Sequence, residues 1–121
     1  MKERKSILIV DDDPGMTDTL SDILFEKGYD VDTTNNGYQA IKMVKKKAYD
    51  FALMDIKMPG INGVETFKKV HEINPETKVI MMTAYFVNDL IKEALKGGIF
   101  DIFHKPLDIG KVIKMIEKYK I

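Results

Sequence analysis

The sequence predicts an α/β fold, a doubly wound (βα)5 unit with a five-stranded parallel sheet and helices on both faces. Three observations predict it. Short apolar runs alternate with segments of helical spacing five times over. All but one of these runs are nearly continuous, as expected of strands covered by helices on both sides. Four of them also end in a reactive polar residue. Residues 7–10 lead into Asp11, Asp12 and Asp13, residues 51–54 into Asp55, and residues 79–82 into Thr83. Residues 100–103 lead through His104 to Lys105-Pro106. Ligands of open parallel sheets bind in the crevice outside the carboxyl ends of the strands. One edge of the domain should therefore gather carboxylates, a hydroxyl and an ammonium.

Each element has its own local signal. The first helix starts after Asp13, an N-cap carboxylate followed by Pro14 at the first helical position. Its apolar residues Met16, Leu20, Ile23 and Leu24 keep helical spacing, and Gly28 stops it. Residues 29–34 break the apolar pattern, with Val31 between Asp30 and Asp32, which predicts an edge strand. Asn35-Asn36-Gly37 is turn chemistry leading into a second helix with Ala40, Ile41 and Val44 inward. The third helix begins near Gly63, carries Val64, Phe67 and Val70, and ends before Asn74-Pro75. A fourth covers residues 87–96 and is broken by Gly97-Gly98. The fifth takes Asp108 as N-cap and sets Ile109, Val112, Ile113 and Ile116 on one face. With no repeat, linker or low-complexity tract, residues 1–121 read as one domain.

Composition narrows the function. The chain is 45% hydrophobic and 31% charged, the make-up of a soluble globular domain. Nineteen basic against nineteen acidic residues leave no net charge to steer it toward nucleic acid or membrane. The local exception, Lys45-Lys46-Lys47 near the end of the second helix, complements that helix's dipole. The absence of cysteine excludes disulfides and thiolate metal sites and fits a reducing cytoplasm. No apolar run approaches the roughly 20 residues of a membrane span, and the first residues are too short and polar for a signal peptide.

If the first and third strands are neighbours, Asp11, Asp12 and Asp55 converge. Carboxylates so close repel one another unless a cation sits among them. Oxygen-only ligands on adjacent loops favour Mg²⁺, which accepts one or two carboxylates together with phosphate oxygens. A carboxylate is also a nucleophile able to form an aspartyl-phosphate. A transferring phosphoryl group needs charge stabilisation on its equatorial oxygens, here from the metal, Lys105 and the Thr83 hydroxyl. Each residue alone has a bland alternative. Asp13 is a helix cap, and Asp11 and Asp12 could equally serve as caps or turn residues. Asp55 precedes the Met58-Pro59-Gly60 turn, Thr83 could cap or be solvated, and Lys105 could be a surface lysine. What joins them is their coincidence at the ends of four strands. His104 and His71 read as surface or packing residues, the eight methionines mostly as core filler, and Tyr85 as a loop aromatic near the site.

The segments Ile-Leu-Ile-Val-Asp-Asp-Asp (7–13), Leu-Met-Asp-Ile-Lys-Met-Pro-Gly-Ile-Asn-Gly (53–63), Ile-Met-Met-Thr-Ala-Tyr (80–85) and His-Lys-Pro (104–106) resemble a two-component response regulator receiver domain. The resemblance covers nearly the whole chain. It implies the flavodoxin-like strand order 2-1-3-4-5, which the pattern alone does not give. It implies Asp55 as phosphoacceptor, charged from a phosphohistidine on a sensor histidine kinase or histidine phosphotransferase. Asp12, Asp55 and the backbone carbonyl of Lys57 would bind Mg²⁺, with Asp11 completing the acidic pocket through a water. Thr83 and Lys105 would contact the phosphoryl group, and the Lys105-Pro106 bond would be cis. Many receivers carry Tyr or Phe three residues before the lysine, whose ring turns inward with the threonine. Here that position is Ile102, so rearrangement is expected through Thr83, residues 84–88 and the fourth helix.

The expected function is a phosphorylation-operated switch, not a turnover enzyme, whose output face is the fourth helix, fifth strand and fifth helix, roughly residues 87–120. The expected state is a cytoplasmic monomer, or a homodimer formed on phosphorylation through that face. No direct nucleic-acid or membrane partner is expected. The chain ends after the fifth helix, so output would run by docking to another protein, as in chemotaxis or sporulation-relay regulators. A receiver cut from a longer regulator stays open beside that, with the stand-alone form favoured by the Met1 start. Two rivals belong to other classes. A Mg²⁺-dependent phosphohydrolase would want a second acid/base carboxylate close to Asp55, where Ile56 and Lys57 stand. A pseudo-receiver used only for binding would lack an acidic, threonine or lysine residue, and none is missing.

Overall fold

The structure, a computed structural model, describes residues 4–84 and 88–119. Strands and helices alternate: β1 (Ser6–Val10), α1 (Pro14–Glu26), β2 (Asp30–Thr34), α2 (Gly37–Lys46), β3 (Phe51–Asp55), α3 (Gly63–Ile73), β4 (Lys78–Thr83), α4 (Asn88–Gly97), β5 (Asp101–His104) and α5 (Ile109–Tyr119). All strand pairs are parallel, in the order β2-β1-β3-β4-β5. This is the expected order, with the charged strand β2 at an edge.

The helix signals act locally as expected. The Asp13 side chain accepts from the N–H groups of Gly15 and Met16, and Pro14 takes the first helical position. Asn36 caps α2 by accepting from the Gln39 N–H. Asp108 accepts from the Lys111 N–H at 3.2 Å and starts α5. Gly28 follows α1 with φ 97°, a conformation that a Cβ disfavours. The fourth helix runs one residue past the expected stop, to Gly97, and its expected first residue, Val87, lies outside the described residues.

Because side chains alternate along a strand, each strand feeds two core layers. Leu8, Val10, Ala52 and Met54 point into the layer closed by α2, α3 and α4, with Ala40, Val44, Phe67, Val70 and Ala94. Ile7, Ile9, Phe51 and Leu53 point into the other, closed by α1 and α5 with Leu20, Leu24, Val112 and Ile116. Strands β1 and β3 are buried along their whole length, which explains their unbroken apolar composition. Strand β5 is a second edge, and its two apolar residues divide between the layers, Ile102 into the first and Phe103 into the second.

Candidate functional site

Strand register assembles the site. Val10 lies opposite Met54, so Asp11 and Asp55 emerge side by side at the carboxyl ends of β1 and β3. Asp55 in turn lies opposite Met82, which brings Thr83 one step beyond it. Thr83 lies opposite His104, and Lys105 follows. Backbone hydrogen bonds extend this edge past the strands. The Asp11 N–H donates to the Thr34 carbonyl at 3.1 Å, and the Lys105 N–H to the Thr83 carbonyl at 2.7 Å.

Asp11, Asp12 and Asp55 converge as the sequence suggested, each offering an oxygen within 4.8 Å of the others. Asp11 and Asp55 are buried and Asp12 is exposed. Asp11 is held at both oxygens: one accepts from the Asp13 N–H at 2.9 Å, the other from Lys105 Nζ at 2.6 Å. The same ammonium stands 3.4 Å from an Asp55 oxygen. The site opens toward β2 in a polar cleft of about 410 Å³ lined by Asp11, Asp12, Asp18, Thr33, Thr34 and Asn35 among others. A set of hard oxygen donors at this separation fits a divalent cation such as Mg²⁺.

The fold tunes both charged partners. Burial and the neighbouring Asp11 charge push the Asp55 carboxyl from 3.8 to about 6, against the pull of Lys105 and a backbone hydrogen bond from Lys57. Burial alone would lower the Lys105 ammonium. Its hydrogen bond to Asp11 and the charges of Asp55 and Asp11 outweigh that, and its pKa rises. The ammonium therefore stays charged at neutral pH while Asp55 holds its proton more tightly than an ordinary carboxyl. Thr83 is fully buried beside them. The Lys105-Pro106 peptide bond is cis.

Sequence reasoning found these residues but missed two features behind Asp55. The first is Gly63: a Cβ there would lie 2.2 Å from the Asp55 carbonyl oxygen and 2.8 Å from the Ile56 Cα. The start of α3 thus packs directly on the backbone that carries Asp55, tied by the Gly63 N–H to the Ile56 carbonyl at 2.8 Å. The second is a reciprocal cap. Asn62 accepts from the Glu65 N–H while the Glu65 side chain accepts from the Asn62 N–H. The Asn-x-x-Glu spacing was the available signal. Of the other residues considered, His104 is exposed, and His71 is exposed with its ring 5.6 Å from Phe67. Tyr85 lies outside the described residues.

Comparison with known proteins identifies the family. The model of the response regulator receiver domain matches residues 7–117. Sporulation initiation phosphotransferase F of Bacillus subtilis is 37% identical over 95% of this chain and 93% of its own length. The chemotaxis protein CheY of Thermotoga maritima is 35% identical over 94% of this chain and 96% of its own. The transcriptional regulatory protein ZraR of Klebsiella oxytoca is 43% identical over 91% of this chain, which spans 25% of ZraR. Among solved structures, a CheY-like receiver domain from Methanospirillum hungatei superposes with a TM-score of 0.93 at 30% identity, covering 96% of this chain and 93% of that one. The CheY of Borrelia burgdorferi, solved in complex with CheX, BeF3 and Mg²⁺, gives 0.87 at 28% identity, covering 97% and 90%. No helix of the described residues is long and apolar enough to cross a membrane. A family match over nearly the whole length, on a fold that brings the motif residues to one sheet edge, establishes that this chain belongs to the response regulator receiver domain family.

Proposed function

We propose that residues 1–121 form one receiver domain that works as a phosphorylation-operated switch in the cytoplasm, with Asp55 as phosphoacceptor. The observation that carries this reading is the buried Asp55 carboxylate with Asp11 and Asp12 beside it and the Lys105 ammonium 3.4 Å away. An Asp55 oxygen attacks the phosphorus of a phosphohistidine on a sensor kinase or histidine phosphotransferase. The P–N bond breaks, its electron pair returns to the imidazole, and an acyl phosphate remains on Asp55. Asp12, Asp55 and the Lys57 carbonyl would hold Mg²⁺, with Asp11 completing the pocket. When bound, the cation supplies charge neutralisation on the phosphoryl oxygens. Lys105 and the Thr83 hydroxyl receive the remaining oxygens. Water attack at phosphorus reverses the state and releases inorganic phosphate, so the protein is consumed and reset, not turned over on a small substrate.

Charge gives the switch its driving force. With a divalent cation bound, the three carboxylates would balance it and Lys105; a dianionic phosphoryl group in place of the Asp55 charge would leave the site one negative charge in excess. That excess draws Lys105 and Thr83 inward and biases α4, β5 and α5 toward a second arrangement. Ile102 packs into the core layer of α3, so no aromatic ring stands there to turn inward. The change therefore runs through Thr83 and residues 84–88, part of which lie outside the described residues. On the output face, Leu95 is exposed and Phe100 packs edge-on against Tyr119 at 4.6 Å, ready for a protein partner or a phosphorylation-dependent second copy.

The test is to incubate the protein with acetyl phosphate and Mg²⁺ and to weigh it beside Asp55→Asn. One added phosphoryl mass in the wild type only, lost with EDTA, is the expected result. If neither that adduct nor beryllofluoride binding appears, the chain is a binding module and the phosphoacceptor reading is wrong.

A further inference from the structure

Helices α1 and α2 lie on opposite faces of the sheet, and each carries a single sign of charge. Helix α1 has Asp18, Asp22 and Glu26 at i, i+4 and i+8 and no cation; α2 has Lys42, Lys45 and Lys46 and no carboxylate. All six are exposed, and among the described residues none takes part in an ion pair. Like charges at i, i+4 destabilise the helix that carries them. On α1, Glu26 also stands at the negative end of the helix dipole. No ion pair among the described residues relieves either stripe; Lys45 and Lys46 in the last turn of α2 complement that helix's dipole, and the Arg4 guanidinium stands 5.6 Å from the Phe25 ring.

Each stripe also includes a large exposed ring, Phe25 on α1 at 58% and Tyr38 on α2 at 56%. Read backward along α1, Phe25, Asp22 and Asp18 are separated by three and four residues; read forward along α2, Tyr38, Lys42 and Lys45 are separated by four and three. Both series span two helical turns on one face. We propose that the α1 stripe of one copy of this chain docks antiparallel on the α2 stripe of a second copy. Phe25 meets Tyr38 of the second copy, and Asp22 and Asp18 meet its Lys42 and Lys45. The charge complement is internal: a neutral chain has sorted opposite charges onto two helices over the same seven-residue span. Because the stripes lie on opposite faces, the contact is heterologous and builds head-to-tail chains or rings. It is separate from the α4–β5–α5 face and does not depend on phosphorylation. Exposed ion pairs contribute little each, so the association is weak, on the order of 1 mM, and salt-sensitive.

The test is sedimentation equilibrium of the unphosphorylated protein up to about 1 mM, at low salt of about 0.01 M and at about 1 M. The wild type is expected to gain mass with concentration at low salt only. Asp18→Lys/Asp22→Lys and Lys42→Glu/Lys45→Glu are each expected to stay monomeric, and their equimolar mixture to associate again. The variant carrying all four changes restores complementarity with reversed signs and is expected to self-associate, which covers the case where one double variant folds poorly. A wild type that is monomeric at low salt overturns the proposal, as do double variants that associate like the wild type. A mixture that remains monomeric with both variants folded also overturns it.

Discussion

Asp55 pays for its position with a proton affinity raised to about 6. Between the ordinary carboxyl value and about 6, the folded protein binds this proton more tightly than the unfolded chain does. The group therefore adds stability at the acid end of that window and loses it as pH rises through about 6. Asp55→Asn removes the buried charge while keeping the shape. It is expected to raise stability above pH 6 by on the order of 1–2 kcal/mol and to flatten the pH slope, as read from urea midpoints. Cation binding needs the ionised carboxylate, so Mg²⁺ affinity in a titration should fall as pH drops below about 6. Lys105 presents the opposite case. Replacing it with Met leaves the Asp11 carboxylate, 1% exposed, without its ammonium. The expected loss is about 2 kcal/mol at neutral pH, and Asp11→Asn in the same chain should return part of it. A double variant no more stable than Lys105→Met alone would mean that the pair does not act as a unit.

At the scale of elements, α3 and the strand before it are built as one piece. The Cβ of Gly63→Ala would meet the Asp55 carbonyl at 2.2 Å, a backbone atom that cannot rotate away. Alanine's better helix propensity offsets only about 1 kcal/mol. A net loss of about 1–3 kcal/mol is expected, along with weaker beryllofluoride binding, because relief requires moving the Asp55 backbone. Asn62→Ala acts on the same helix from its cap and loses only the reciprocal hydrogen bonds with Glu65. Its expected cost is about 1 kcal/mol with binding unchanged. The contrast between the two separates the close approach at Asp55 from the general stability of α3.

Across the whole molecule, two core layers share one sheet, and α4 depends on one of them. Phe67, 2% exposed, lies where a Cβ on Gly97 of α4 would come within 2.8 Å of its ring. Lys68 also reaches Glu93 of α4 at 2.6 Å, but both side chains are about half exposed, so this pair contributes little. Packing rather than charge therefore holds α3 to α4. Phe67→Ala is expected to cost about 3–5 kcal/mol in thermal or urea unfolding, whereas Lys68→Met should move the midpoint by less than about 1 kcal/mol.

By itself the sequence determined the alternation of five strands and five helices, because hydrophobic period, N-caps such as Asp13 and Asp108, and stops such as Gly28 are local signals. It also determined which side chains stand at the strand ends, since each follows its apolar run directly. The strand order came only from the family resemblance, because no residue of β2 records that β1, and not β3, is its neighbour. Only the tertiary structure decided that Lys105 binds Asp11 more closely than Asp55, at 2.6 against 3.4 Å, and that Asp11 is buried while Asp12 is exposed. It also decided that Gly63 must lack a side chain. These are contacts between residues as far as 94 positions apart, set by strand register and crossover packing, and no local pattern encodes them.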